Sequence, residues 1–125
     1  MYATFAGDRG YPMGKLSRSK GARFEREVAT AFRVAFPGAR RGLGQARSGV
    51  DAADVIGIPG YWIECKVGAR PNPLAALRQA EGNSNGEVPV AVCKVDREGA
   101  AVTLPLADFI ALLDKAVNKT PAEGK

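Results

Sequence analysis

The stretch Tyr61-Trp62-Ile63-Glu64-Cys65-Lys66-Val67, bounded by Gly60 and Gly68, decides the fold. Its side chains alternate between two faces, with Tyr61, Ile63, Cys65 and Val67 on one and Trp62, Glu64 and Lys66 on the other, which is the period of a β-strand. A carboxylate and an ammonium therefore leave an apolar strand on the same side. Charge is costly to bury unless it is paired or holds a metal, so an acid and a base spaced i, i+2 here mark a candidate site. The plainer reading is a cross-strand ion pair on a solvated sheet face.

Immediately upstream, Pro59-Gly60 turns the chain, and Asp51-Ala52-Ala53-Asp54-Val55-Ile56-Gly57-Ile58 is expected to enter the preceding strand. The tight hairpin brings Asp54 alongside Glu64 and Lys66 in an antiparallel pair, and leaves Asp51 in the loop. Downstream, Asn72-Pro73 reads as a cap and a first-turn proline that open a helix through about Ala80 or Gly82, with Leu74 and Leu77 inward. Gly82 to Gly86 ends it, and Val88 to Lys94 is a second buried strand. Strand, helix and strand make a βαβ unit with parallel strands and a right-handed crossover. Asp96-Arg97-Glu98-Gly99 turns into a strand over 101–105. A last helix from about Leu106 places Phe109, Ile110, Leu113 and Val117 on one face.

Further upstream, Ser17 or Ser19 is a plausible cap for a helix running to about Phe36, where Pro37-Gly38 stops it. At roughly 100° per residue, Ala22, Val28, Ala29, Phe32 and Phe36 share one side. Glu25 falls within that apolar stripe and Glu27 on the solvent side. Glu25 is either a site residue or an acid paired with Arg26 or another arginine. Lys15, Arg18, Lys20, Arg23 and Arg26 either contact phosphate or solvate the helix. Between helix and hairpin, residues 39–49 carry Arg40, Arg41 and Arg47 among three glycines, followed closely by Asp54. Backbone amides and guanidinium forks in such a segment can approach phosphates closely. The alternative is a surface loop with a short edge strand.

At 125 residues the chain is expected to be an arm over 1–16, one domain over 17–118 and a fraying tail over 119–125. A net charge of +5 and a pI near 9.5 favour a polyanionic partner. Histidine is absent, which excludes serine–histidine triads, histidine general bases and histidine zinc sites. Cys65 and Cys93 read as reduced core residues of a cytoplasmic protein. What remains for catalysis is carboxylate, lysine and a hard cation. No apolar run approaches the roughly 20 residues of a membrane span, and the start lacks the pattern of a secretory signal.

The order helix, strands and βαβ crossover, with an acid on the first helix, Asp54 on the second strand and Glu64-x-Lys66 on the third, resembles the PD-(D/E)xK nuclease superfamily. Lys20-Gly21-Ala22-Arg23-Phe24-Glu25-Arg26-Glu27-Val28 looks like the opening helix of the archaeal-type Holliday junction resolvases and their phage relatives. The resemblance covers about Gly14 to Asp108; Val55 follows the first acid, and no proline precedes it. It implies an α/β fold with a restriction-endonuclease-like core (αβββαβ), a mixed sheet flanked by helices. It implies Mg²⁺, with Mn²⁺ as a substitute, held by Asp54, Glu64 and the Cys65 carbonyl with Glu25 completing the shell. Lys66 would position and activate the attacking water. Lys20, Arg23, Arg40, Arg41, Arg47, Ser48 and Gln79 would contact DNA. The implied protein is a homodimer, host-cytoplasmic if phage-encoded, that resolves four-way junctions by paired nicks. A nuclease for other branched or duplex DNA and a non-catalytic basic DNA-binding protein of the same fold are the alternatives.

Overall fold

A computed structural model describes residues 13–42 and 52–118, with side chains from residue 18 onward. Their order is α1 (Met13–Phe32), β1 (Arg40–Arg41), β2 (Val55–Ile56), β3 (Tyr61–Gly68), α2 (Pro73–Asn83), β4 (Val88–Val95), β5 (Ala100–Thr103) and α3 (Leu106–Val117). The five strands form one mixed sheet in the order β1-β2-β3-β4-β5, antiparallel except for the parallel pair β3 and β4. The protein is therefore α/β, with three helices around a mixed sheet.

The two faces of the sheet pack their cores on different helices. Ile63, Cys65, Val90 and Val92 pack with Phe24, Val28 and Ala29 of α1, while Ala91 and Cys93 pack with Ala76 and Leu77 of α2. In the parallel register Glu64 lies opposite Ala91 and Lys66 opposite Cys93, which puts both charged side chains on the α2 face. The expected alternation along β3 is present. So is the α2 start: Asn72 accepts the Ala75 N–H at 3.0 Å through Oδ1, and Pro73 fills the first helical position, whose N–H would be unpaired anyway.

Several boundaries differ from the sequence expectation. The first helix starts at Met13, so neither Ser17 nor Ser19 caps it, and it loosens at Phe32 instead of continuing to Phe36. Turn-type bonds carry the chain on, from Phe36 N–H to Phe32 O at 2.8 Å and then from Ala39 N–H to Phe36 O at 2.9 Å, and Phe36 still packs on the core. The strand expected around Asp54 is only Val55–Ile56, and the strand expected over 101–105 is Ala100–Thr103. Leu74 is exposed, and only Leu77 of the two leucines turns inward. The last helix buries none of its residues fully. Phe109 and Leu112, rather than the whole expected stripe, lean over a hollow of about 360 Å³ shared with Phe36, Ile58 and Leu104.

The hairpin that carries Asp54 depends on two glycines in the left-handed region. In Ile58-Pro59-Gly60-Tyr61 the Tyr61 N–H returns to Ile58 O at 3.2 Å, with Gly60 at φ +85°. Gly57, at φ +96°, is also pressed against the chain at Gly38, where a Cβ would stand 2.4 Å from the carbonyl oxygen. Gly60→Ala, which meets open space, should cost only the conformational penalty of about 1 kcal/mol. Gly57→Ala should cost about 2–3 kcal/mol, strain and collision together. Urea unfolding midpoints of the two variants measure the difference.

Candidate active site at the β2–β3 edge

Asp54 stands where β2 gives out. Its own N–H donates to Ile63 O at 2.9 Å, and its Oδ2 then accepts the Cys65 N–H at 2.8 Å. A side chain thus makes the bond that the next residue of a longer strand would have made. Because N–H and C=O of one residue leave a strand on the same side, the Cys65 carbonyl points to this same edge, which no backbone among the described residues pairs there. Gly42 locks the arrangement from the other side, its N–H donating to Asp54 O at 2.8 Å.

Glu64 is adjacent on β3 and only 4% exposed. Its Oε2 accepts the indole N–H of Trp62 at 3.0 Å, which accounts for the buried carboxylate and gives Trp62 a role the sequence did not assign. Lys66, one step further along the same face, is exposed. Glu25 reaches the edge from α1 with its side chain 18% exposed, and its Oε1 takes the Arg41 Nε at 2.7 Å. The helical phase that separated Glu25 from Glu27 holds, since Glu27 is exposed. The plainer expectation for Glu25, pairing with an arginine, also holds, and the arginine is Arg41.

Electrostatics tie these acids into one group. Burial pushes the Asp54 carboxyl up from 3.8 to about 6; the Cys65 N–H opposes the shift, the nearby Glu64 charge adds to it, and Lys66 pulls it back. Glu25 is also raised, by burial first, with Arg41 pulling it down and Asp54 pushing it up. The free Cys65 and Cys93 thiols are buried and pushed up as well, consistent with their reading as core residues rather than nucleophiles. Asp54 therefore sits between two acids supplied from opposite faces of the sheet. Each acid has one oxygen engaged by a protein donor: Glu25 by Arg41, Asp54 by Cys65, Glu64 by Trp62.

Among the described residues, no three carboxylates or thiols converge closely enough to enclose a cation as they stand. Asp54, Glu64 and the Cys65 carbonyl are nonetheless the hard oxygen donors that Mg²⁺ takes, and it characteristically keeps several waters beside one or two carboxylates. Their chemistry fits; Glu25 has its Oε1 committed to Arg41. The residues expected at DNA are less uniform. Arg23, Arg40 and Gln79 are exposed, Lys20 is paired with Asp96 at 3.0 Å, and Arg41 is engaged by Glu25. Arg47 and Ser48 lie outside the described residues, as do Asp51 and most of the glycine-rich segment.

The raised Asp54 carboxyl predicts a pH signature. A group whose folded value is raised holds its proton more tightly when folded, so between about pH 4 and 6 it lowers stability as pH rises. Asp54→Asn keeps an oxygen for the Cys65 N–H and removes that cost. Without divalent cations, its stability gain over the wild type should be near zero at about pH 3.5. It should grow to about 1–2 kcal/mol at pH 7, a figure discounted for the partly open side of Asp54. Paired unfolding curves across pH measure it. No protein-family model, curated protein or solved structure matches this chain, so its function is read from this geometry.

Proposed function

We propose that the protein is a metal-dependent endodeoxyribonuclease with a restriction-endonuclease-like core, acting on branched DNA and foremost on four-way junctions. The observation that carries this reading is the gathering of Asp54, Glu64, Lys66 and Glu25 around the end of β2, with Asp54 held against Cys65 and near enough to both glutamates for the charges to act on one another. Mg²⁺ or Mn²⁺ at that edge would polarise the scissile phosphate and make a neutral-pH water nucleophile available without histidine. The chain's own residues do the rest. Asp54 and Glu64 offer the second oxygen of each carboxylate, and Trp62 keeps Glu64 from turning away. Lys66 brings a mobile ammonium to the same face, where it orients the attacking water and steadies charge on the phosphate as the P–O bond to the leaving strand breaks.

The basic composition supports a polyanionic substrate, and Arg40 on the edge strand next to the site is placed to meet a phosphate. A single small domain has little surface with which to embrace four duplex arms, so the working unit is a two-fold homodimer with two such sites. A second reading, a DNA-binding protein without catalysis, has its own support in the Arg41–Glu25 pair, which occupies the acid that would complete the metal shell.

A labelled four-way junction, a flap and a linear duplex offered with Mg²⁺, Ca²⁺ or chelator separate these readings. Paired nicks on the junction in Mg²⁺ alone are expected, whereas equal cutting of linear duplex would defeat junction selectivity. Glu64→Gln should lower the nicking rate by at least ~100-fold while leaving DNA affinity within about twofold. Binding without cleavage on every substrate would favour the non-catalytic reading. Arg40→Ala should weaken binding and reduce the slope of log K against log salt by about 1.

A further inference from the structure

We infer that a second phosphate-binding subsite lies outside the acid cluster, in the hollow between α1 and the β4–β5 turn. It is about 240 Å³ in volume and is ringed by Lys20 and Arg23 of α1, Lys94 of β4 and Arg97 of the turn, with Glu27 and Asp96 as its acids. Four cations thus face two carboxylates. The Lys20 ammonium already bridges both Asp96 oxygens, at 3.0 and 3.2 Å. Arg23, Lys94 and Arg97 form no ion pair among the described residues.

Two features separate this hollow from an ordinary solvated basic surface. Lys94 stands in an interior strand, level with Val67 on one side and Ala100 on the other, on the sheet face that carries Val90 and Val92. An ammonium placed there is half-buried and, among the described residues, has no carboxylate paired to it, so it is available to an anion. Arg97 is the one described non-glycine residue at positive φ, +69°, a conformation that glycine would adopt more cheaply. The turn accepts that cost and sets a guanidinium at the rim, where its fork suits a phosphate.

The hollow lies on the sheet face that carries Val67 and Val92, whereas Glu64 stands on the opposite face. The phosphate it takes is therefore one that reaches the protein from the α1 side, apart from the phosphate at the acid cluster. The ligand rests on the nucleic-acid reading above, but the subsite needs neither a metal nor cleavage.

Its test is therefore binding alone. Fluorescence anisotropy of a labelled four-way junction and a linear duplex is measured in chelator over a series of salt concentrations, beside thermal unfolding of each variant. Lys94→Ala with Arg97→Gly should weaken binding at least ~10-fold at low salt and reduce the log–log salt slope by about 2. Arg97→Gly alone should reduce the slope by about 1 without lowering the melting temperature, since glycine relieves the positive φ. Arg97→Lys should restore most of the slope, and Glu27→Gln should tighten binding. Wild-type slopes and affinities in the double variant, on a wild type that does bind, would overturn the subsite and leave the nuclease reading standing. A wild type that binds neither DNA overturns both.

Discussion

A short strand that ends too soon is the constraint from which the site follows. β2 pairs with β3 over Val55 and Ile56 only, and at Asp54 the chain departs from the ladder. An unpaired backbone N–H inside a sheet is expensive, and the Asp54 carboxylate satisfies the one on Cys65. One hydrogen bond thereby finishes the sheet edge and pins an acid beside Glu64. Were β2 two residues longer, main chain would cover the Cys65 edge and no carboxylate could occupy it. The close approach of Gly42 to the Ala53 carbonyl, where a Cβ would stand 2.0 Å from the oxygen, shows how tightly β1 closes over this end of the hairpin.

The cluster is a balance of unlike costs. Burial and mutual repulsion drive the carboxyls of Glu25 and Asp54 towards their neutral forms, while Arg41, the Cys65 N–H and Lys66 favour the charged ones. Arg41 acts as a resident cation on one side of the group. On the proposed reading, a divalent ion would compete with that guanidinium for Glu25, and a phosphate would compete with Glu25 for the guanidinium. The same ion pair would then both hold the site together before substrate arrives and give way when it does.

Much of this was legible in the sequence because it rests on short-range rules. The period-2 alternation of residues 61–67 placed Glu64 and Lys66 on one face, Asn72-Pro73 marked the start of α2, and the helical phase of Ala22, Val28, Ala29, Phe32 and Phe36 separated Glu25 from Glu27. What escaped is set by tertiary contact. That Arg41 rather than Arg26 meets Glu25 depends on β1 pairing with β2, and the indole bond from Trp62 to Glu64 joins two residues of one face whose side-chain directions no periodicity specifies. The early loosening of α1 at Phe32 and the exposure of Leu74 reflect packing decisions that propensity does not see. Fold class followed from pattern; the wiring of the charges required the assembled sheet.

Trp62 is the only tryptophan in the chain, and its ring N–H is spent on the most buried acid of the cluster. Indole emission responds to what accepts that N–H and to the charge nearby, so the protein carries its own optical probe within one hydrogen bond of the site. On the proposed reading, ion entry, rearrangement of Glu64 or closure of a nucleic acid over β3 would all reach the same chromophore, and a lanthanide bound at the edge could draw its excitation from it. The residue that steadies the carboxylate is thus also the one through which occupancy of the site can be watched without adding a label.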